Sequence, residues 1–455
     1  MSKRIMTILA AVMVIGLAAS SFAAVENVKV GGDLTFRGFY RNGFDFNKDA
    51  GAGTKINPHF IYAGARVFVS ADLTNNVSAM VRMISERDMG NDYVREITGS
   101  ILLDLGYIKA ADLFLPGLAL TVGRQEIQFG EGLVIGSRYR AIDYPGADIG
   151  TAAVDYGQQK AFDAIRLDYA VKGAPITFSG FKAKILESYN VGTVTLPVIG
   201  TLDLEDVDVY GLNMMWKPDT FTVEPYIANA IMYHTATNIM TGGVRGTWAP
   251  AALKGLELKG EFAKQFGDLK GVLGTDSKPA GWAGYLGGGY TFPVAMKPSV
   301  GLTYNYFSGW DGTGNDVKSW IPLFPSDVAS RVGKIAYPAL FPAGEGMVIN
   351  VQNPGLINAG AGLQSIKLGL GLQPTDKLGL GLDFFYLKTN EAGAASSSTN
   401  LGNEIDLSLK YMYTEDLWMG IDYGYFMKGD YIRDNTSLGE TENAWQLIGS
   451  IGLSF

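Results

Sequence analysis

The sequence contains no cysteine, only two histidines and no excess of basic residues, and each of these absences excludes a class of protein. Without cysteine there is no disulfide scaffold, zinc ribbon, iron–sulfur site or cysteine nucleophile. The 37 Lys and Arg against 45 Asp and Glu argue against a nucleic-acid partner, because such proteins usually present a basic face. No hydrolase signature surrounds His59 or His234. We therefore expect no enzyme, no catalytic residue, no metal and no cofactor.

Long apolar runs are also missing beyond the start of the chain. Residues 1–23 combine a short basic head, a 13-residue apolar stretch at 5–17 and small residues ending at Ala23, which is typical of a secretory signal peptide. A membrane anchor is the alternative, but such a helix needs about 20 apolar residues. No run of 18 apolar residues occurs later in the sequence. A secreted chain without a spanning helix is periplasmic, extracellular or a membrane β-barrel.

Glycine and aromatic residues are abundant, with 59 Gly and 12% Phe, Trp and Tyr. This composition favours a large, closed all-β structure. The last eleven residues show the pattern most clearly, because Trp445, Leu447, Ile451, Leu453 and Phe455 alternate with small or polar residues. The period of two and the length match a tilted strand that crosses a membrane.

Eighteen windows share this alternation. They lie near 28–41, 60–72, 76–87, 98–111, 117–128, 161–172, 175–187, 206–217, 221–233, 239–249, 255–267, 280–292, 298–310, 362–372, 377–388, 403–413, 416–428 and 444–455. Connections after even-numbered windows are short, and those after odd-numbered windows are mostly long, as in outer-membrane barrels. We predict a signal peptide at 1–23 and, at 24–455, a single transmembrane antiparallel β-barrel in the outer membrane. About 18 strands are expected, with 16 as the alternative, joined by short periplasmic turns and long extracellular loops.

The alternation also predicts which charged residues face the lumen, because an Arg or Lys on the lipid face at mid-depth costs about 2–4 kcal/mol. The basic residues predicted inside are Arg37, Arg66, Arg82, Arg124, Arg166, Lys182, Lys184, Arg245, Lys259 and Lys410. The acidic ones are Asp33, Glu86, Asp104, Glu126, Asp168, Asp208, Glu257, Glu261, Glu404, Asp406 and Asp422. The candidate solute-contacting residues are Arg37, Arg66, Arg82, Arg124, Glu126, Arg166, Asp168, Arg245, Glu404 and Asp406.

Three blocks of the sequence resemble the alginate-export family of outer-membrane barrels. They are 123–132 (GRQEIQFGEG), 162–167 (FDAIRL) and 401–407 followed by Tyr411 and 426–429. The family typically shows a Gly-Arg-Gln strand, a Gly-rich turn and a Phe-Asp-x-x-Arg strand. The resemblance implies an 18-stranded barrel that passes an anionic polysaccharide through a lumen rich in Arg. The mixed charges predicted for the lumen depart from that pattern.

We therefore predict an outer-membrane channel for passive or selective passage of hydrophilic solutes, including anionic sugars or polysaccharide. A general diffusion porin and a structural or adhesive barrel with partner-binding loops are the alternatives. The expected partners are the solute, outer-membrane lipid and lipopolysaccharide, and the outer-membrane assembly machinery. The last of these would recognise the terminal aromatic residue Phe455.

The long loop predicted at 311–361 is rich in proline and aromatic residues. A loop of this length is usually functional or disordered, and its aromatic content disfavours disorder. We expect it to fold inward or to cap the mouth; a surface loop that leaves the pore open is the alternative.

Arg124 and Arg166 lie on the neighbouring fifth and sixth strands and are predicted to form a selectivity zone for anions. Arg stays charged and holds a carboxylate through two hydrogen bonds. The alternative is that each only braces the wall by pairing with Glu126 or Asp168.

Overall fold

The computed structural model describes residues 26–48, 59–89, 101–136, 161–186, 193–196, 200–203, 206–233, 235–270, 276–326, 328–341, 347–348, 358–392, 396–435 and 440–455. Residues 1–25, which include the predicted signal peptide, lie outside the described residues. So do His234, residues 137–160 of the predicted fifth connection, and 327, 342–346 and 349–357 of the long loop.

Eighteen long strands of the described chain form the barrel. They are β1 Glu26–Asn42, β2 Phe60–Thr74, β3 Val77–Asp88, β4 Leu102–Ala110, β5 Leu118–Gln125, β6 Phe162–Ala170, β7 Ile176–Leu186, β8 Val207–Trp216, β9 Phe221–Met232, β10 Thr237–Trp248, β11 Leu256–Asp268, β12 Trp282–Thr291, β13 Ser299–Phe307, β14 Leu363–Thr375, β15 Leu378–Lys388, β16 Asn400–Met412, β17 Leu417–Lys428 and β18 Ala444–Ser454. Each strand coincides with one predicted window, so the 18-strand prediction is confirmed.

Each strand pairs antiparallel with the next, and β1 pairs with β18, so the sheet has no free edge. At the closure the backbone N–H of Phe455 donates to the carbonyl of Gly32 at 3.0 Å, and the N–H of Gly32 donates back at 2.9 Å. In a lipid bilayer every backbone polar group needs such a partner, which is why membrane sheets close on themselves.

The two faces of the wall follow the alternation. Leu286, Leu302 and Ile108 are among the exposed apolar side chains that point outward, whereas Phe39 and Tyr62 are buried inside. The window 117–128 extends too far, because β5 ends at Gln125 and the chain then turns into the barrel. There the Gln125 side-chain amide donates to the carbonyl of Ala164 at 3.1 Å.

The helices are short and belong to connections: α1 Val328–Val332, α2 Ala336–Leu340 and α3 Asp430–Arg433. Among the described residues no helix is both long and apolar enough to cross a membrane. Several connections bury apolar residues inside the barrel, and two of them, with the longest described apolar segments, meet in its interior. Counting the connections that follow odd-numbered strands, these are the third, L3, after β5, and the seventh, L7, after β13.

Candidate functional site in the barrel interior

Three arginines lie on neighbouring strands of the inner wall. The Arg37 guanidinium carbon lies 5.6 Å from the centre of the Tyr62 ring, and among the described residues it forms no ion pair. Arg66 Nε lies 3.4 Å from Asp33 Oδ1. Their cross-strand neighbours include buried residues, and the adjacent Phe36 and Val67 are exposed outward. These two arginines therefore face the interior.

Arg82 is held more tightly than Arg37 and Arg66. Its Nε lies 2.5 Å from Asp104 Oδ2, and its Nη2 lies 2.6 Å from Glu126 Oε1. Glu126 reaches Arg82 because the chain turns inward after Gln125, at the start of L3. Arg82 is thus both an inward cation and a link between β3 and this connection.

Arg166 also faces inward, since its cross-strand neighbour Phe181 is buried. Its Nη2 lies 2.8 Å from Asp168 Oδ1, and the same oxygen accepts the hydroxyl of Ser179 at 2.5 Å. The pairing of Arg166 with Asp168, the alternative to a selectivity role, is therefore present in the structure.

Arg124 does not share the interior with Arg166. It lies directly opposite Asp163, and its Nη1 is 3.1 Å from Asp163 Oδ2. Two residues away along each strand, the opposed pair Val122 and Ile165 is exposed to the outside. The register therefore places Arg124 on the outward face, which corrects the sequence-based placement.

Lys182, Lys184 and Asp208 are likewise outside rather than inside. On β7 the inward positions are taken by Phe181 and Ala183, both buried. The physical reason lies in L3, whose Phe129 packs edge-on against Phe181 with ring centres 5.4 Å apart. The inner wall is apolar here because it contacts an apolar loop, so the polar face of the strand is the outer one.

The described part of L3, residues 126–136, forms an apolar plug against the wall. Ile127, Phe129, Leu133, Val134 and Ile135 are almost fully buried. The loop backbone is bound by carboxylates of the wall: the N–H of Gly130 donates to Glu224 at 3.0 Å, and the N–H of Glu131 donates to Glu261 at 3.3 Å.

The side chain of Glu131 joins L3 to two cations of the wall. Its Oε2 lies 2.9 Å from Lys259 Nζ on β11, and its Oε1 lies 3.4 Å from Arg245 Nη2 on β10. Arg245 also approaches Glu224 at 3.8 Å. Burial alone would raise the pKa of Glu131, but the hydrogen bond and charge of Lys259 and the charge of Arg245 hold that pKa below its ordinary value. Glu131 is therefore ionised at neutral pH.

L7 enters the interior from another part of the wall, after β13, and contacts L3. The N–H of Phe324 donates to the carbonyl of Val134 at 3.0 Å, and the N–H of Ser326 donates to that of Gly132 at 2.7 Å. Trp320 and Phe341 of L7 are also buried. The described part of the loop thus folds inward, as predicted.

Glu404 and Asp406 hold the turn between α1 and α2. The buried Glu404 carboxylate accepts the N–H groups of Ile335 and Ala336 at 2.6 and 2.9 Å, and Asp406 accepts that of Lys334 at 3.1 Å. Glycine is required at 333, because its φ is +104° and a Cβ there would lie 2.5 Å from Glu404 Cδ. These two predicted residues therefore bind the loop backbone.

Sequence reasoning did not identify Glu131, Glu224 or Glu261 as a group. The available signal was the apolar run 133–135 beyond the end of a strand, preceded by Gly130 and Gly132. An apolar segment inside an outer connection indicates a loop that packs into the barrel.

The closed 18-stranded barrel with an apolar outer face defines a porin-type channel of the outer membrane. Residues 217–443 match the sequence model of the family described as alginate export, which confirms the resemblance. Of the three blocks that carried it, the one at 401–407 with Tyr411 and 426–429 lies within the match, and those at 123–132 and 162–167 lie before it. No curated protein sequence matches the chain.

Solved structures with the same fold come from two bacteria. OccK5 (OpdH) of Pseudomonas aeruginosa is 13% identical, with a TM-score of 0.55 over 94% of this chain and 98% of that one. OccAB3 of Acinetobacter baumannii is 13% identical, with a TM-score of 0.55 over 94% and 99%. OprD of Pseudomonas aeruginosa is 11% identical, with a TM-score of 0.56 over 95% and 96%. At these identities the likeness concerns the fold.

Proposed function

We propose that the channel passes hydrophilic anionic solutes, such as sugar acids or an acidic polysaccharide, down their gradient without a chemical step. Arg37 is the observation that carries this proposal: a charged guanidinium on the inner wall that forms no ion pair among the described residues. Arg66 and Arg82 follow on the next two strands. A guanidinium binds a carboxylate through two parallel hydrogen bonds, so Arg37 is the group best suited to meet a passing anion.

The inserted loops support a narrow passage in this proposal. L3 and L7 pack on each other and on the wall, so a solute moves through the space that they leave. Arg245 and Lys259 border L3 and are held by Glu131. Arg166 pairs with Asp168 in the same interior. We assign Arg37, Arg66, Arg82, Arg166 and Arg245 to solute contact, and Glu404 and Asp406 to positioning of L7.

Liposome swelling tests the proposal with two solutes of similar size. Liposomes containing the protein are diluted into iso-osmotic glucose or sodium glucuronate, with empty liposomes as the control. Faster entry of glucuronate is expected. Equal rates for the two solutes would favour the alternative of a general diffusion porin. The ion pairs of the inner wall are compatible with that alternative, because they neutralise many of its charges. A barrel that admits neither solute would favour a structural or adhesive role for its loops.

We also propose that residues 1–23 are removed on export and that Phe455 is read by the assembly machinery. The Phe455 ring is exposed although its backbone is paired with Gly32. Phe455→Ala should therefore lower the amount of folded barrel in the membrane without altering the conductance of the barrels that assemble. The mass of the membrane-extracted protein tests the removal of the leader.

A further inference from the structure

The outer surface carries a row of four charges of alternating sign across β5 to β8. Arg124, Asp163, Lys184 and Asp208 are directly opposed from strand to strand. Arg124 lies 3.1 Å from Asp163, and Lys184 Nζ lies 3.2 Å from Asp208 Oδ1. The row sits where β7 leads into a long outer connection and β8 returns from it.

The position of this row fixes the level of the membrane on this side of the barrel. A Lys or Arg that faces lipid costs about 2–4 kcal/mol at the bilayer midplane and about 0–1 near the interface. On the periplasmic side of the row, which we call below it, apolar positions such as Ile165 and Leu167 are exposed in the same outward direction. The row therefore lies at the boundary between the outer-leaflet head groups and the hydrocarbon.

Directly below the row the outer wall has an apolar groove of about 880 Å³. Gly180 contributes no side chain to it, and Leu212 leans over the resulting gap: a Cβ at 180 would lie 2.8 Å from Leu212 Cδ2. The outward side chains that border the groove include Ile165, Leu167, Phe178, Leu212, Met214 and Ile227.

Lys182 closes the upper end of the groove. It is directly opposite Ile165, and its side chain is 53% exposed. Its ammonium lies 2.9 Å from Asp208 Oδ2 and 5.4 Å from the centre of the Tyr210 ring. A lysine has three N–H donors, and the contacts with Asp208 and Tyr210 leave one of them for a further acceptor.

We propose that this groove binds a phosphorylated lipid of the outer leaflet, with an acyl chain in the groove and the phosphate on the Lys182 ammonium. The apolar walls fit a hydrocarbon chain, and a cation at the head-group level fits a phosphate. The site lies on the outside of the barrel and does not depend on what passes through the lumen.

Native mass spectrometry of the full barrel in a neutral detergent tests the site. The probes are dioleoylphosphatidic acid, dioleoylglycerol with the same chains but no phosphate, and inorganic phosphate alone. We expect retention of phosphatidic acid, with about tenfold weaker binding after Lys182→Gln, since one charged hydrogen bond is lost. Gly180→Leu should reduce binding at least as much by filling the groove.

A matched control comes from β1, at the barrel closure and away from the groove. Gly38 also faces outward, and a Cβ there would meet nothing within 4 Å, so Gly38→Leu fills an outer depression that has no lysine at its rim. This variant should bind phosphatidic acid like the wild type. Equal retention of dioleoylglycerol, equal binding by inorganic phosphate alone, or full binding by Gly180→Leu would each overturn the proposal.

Discussion

Glu131 of L3 and Lys259 of β11 are joined by an ion pair of 2.9 Å inside the barrel. The pair attaches L3 to the wall. It also neutralises the Lys259 ammonium, which would otherwise be available to an anion in the lumen. The same carboxylate reaches Arg245. A loop carboxylate thus sets how much positive charge the wall presents, and this relationship leads to a pH-dependent prediction.

Glu131→Gln should raise the anion-over-cation permeability at pH 7, because Lys259 and Arg245 lose their shared counter-charge. The pKa of Glu131 is lowered in the folded protein, so its ion pair is fully present above the ordinary pKa of 4.5 and is lost as the pH falls through the lower folded value. The difference between the wild type and Glu131→Gln should therefore persist at pH 4.5 and disappear only as the pH falls through the lower pKa of the folded protein.

Reversal potentials recorded in planar bilayers from pH 7 to pH 3 measure this convergence. Glu415→Gln, in an exposed turn, serves as the control and should follow the wild type throughout. A difference that does not shrink between pH 4.5 and pH 3, or one that is absent at pH 7, would contradict the role of Glu131.

Arg166 and Arg124 form a matched pair for selectivity, because one faces the lumen and the other faces outward. Arg166→Gln should shift the permeability toward cations, whereas Arg124→Gln should leave the reversal potential unchanged. If Arg166 only braces Asp168, its variant will lose heat resistance in detergent without a change in selectivity. A selectivity shift in Arg124→Gln would show that its outward placement is wrong.

Glu404→Ala should loosen L7, because the N–H groups of Ile335 and Ala336 then lose a buried acceptor. We expect the free energy of unfolding to fall by about 1–3 kcal/mol and the single-channel current to become larger and noisier. Removal of residues 315–357 should give a larger conductance as well. Glu415→Ala is the matched control for the point variant. An unchanged current in both the point variant and the deletion would reject a role for L7 in narrowing the channel.

Leu286→Arg tests the membrane-facing wall. Leu286 is 71% exposed on the middle of β12, where an outward Arg should cost about 2–4 kcal/mol. Phe114→Arg lies in the turn between β4 and β5 and should cost about 0–1 kcal/mol. Urea-induced unfolding of the barrel in lipid vesicles, monitored by tryptophan fluorescence, measures the free energy of unfolding of both variants. Equal losses of free energy in the two variants would contradict the placement of Leu286 in the membrane-spanning part of β12.

The strands were predictable from sequence because a wall between lipid and lumen imposes a period of two on nearly every residue. For example, the windows at 98–111, 221–233 and 280–292 correspond to β4, β9 and β12. The direction of each face was harder to predict. Where an apolar loop fills the lumen, both faces of a strand contact apolar material, and alternation alone does not distinguish inside from outside.

Arg124, Lys182 and Lys184 show this effect. Their strands direct Phe162, Phe181 and Ala183 toward the inserted loops, so the charges lie on the outer face. Arg37, Arg66 and Arg245 face inward, on strands whose outward positions carry exposed apolar residues. The contacts of Glu131 depend on how L3 enters the barrel, and that path is set by tertiary packing rather than by a local pattern.

The reversal potential of the wild-type channel across a potassium chloride gradient at pH 7 tests the proposed anion passage most directly. An inner wall on which Arg37 forms no ion pair with any described residue, beside Arg66 and Arg82, predicts a potential on the anion-selective side of zero, which moves toward zero in Arg37→Gln. A cation-selective potential, or a wild-type barrel that conducts no current, would contradict the proposal.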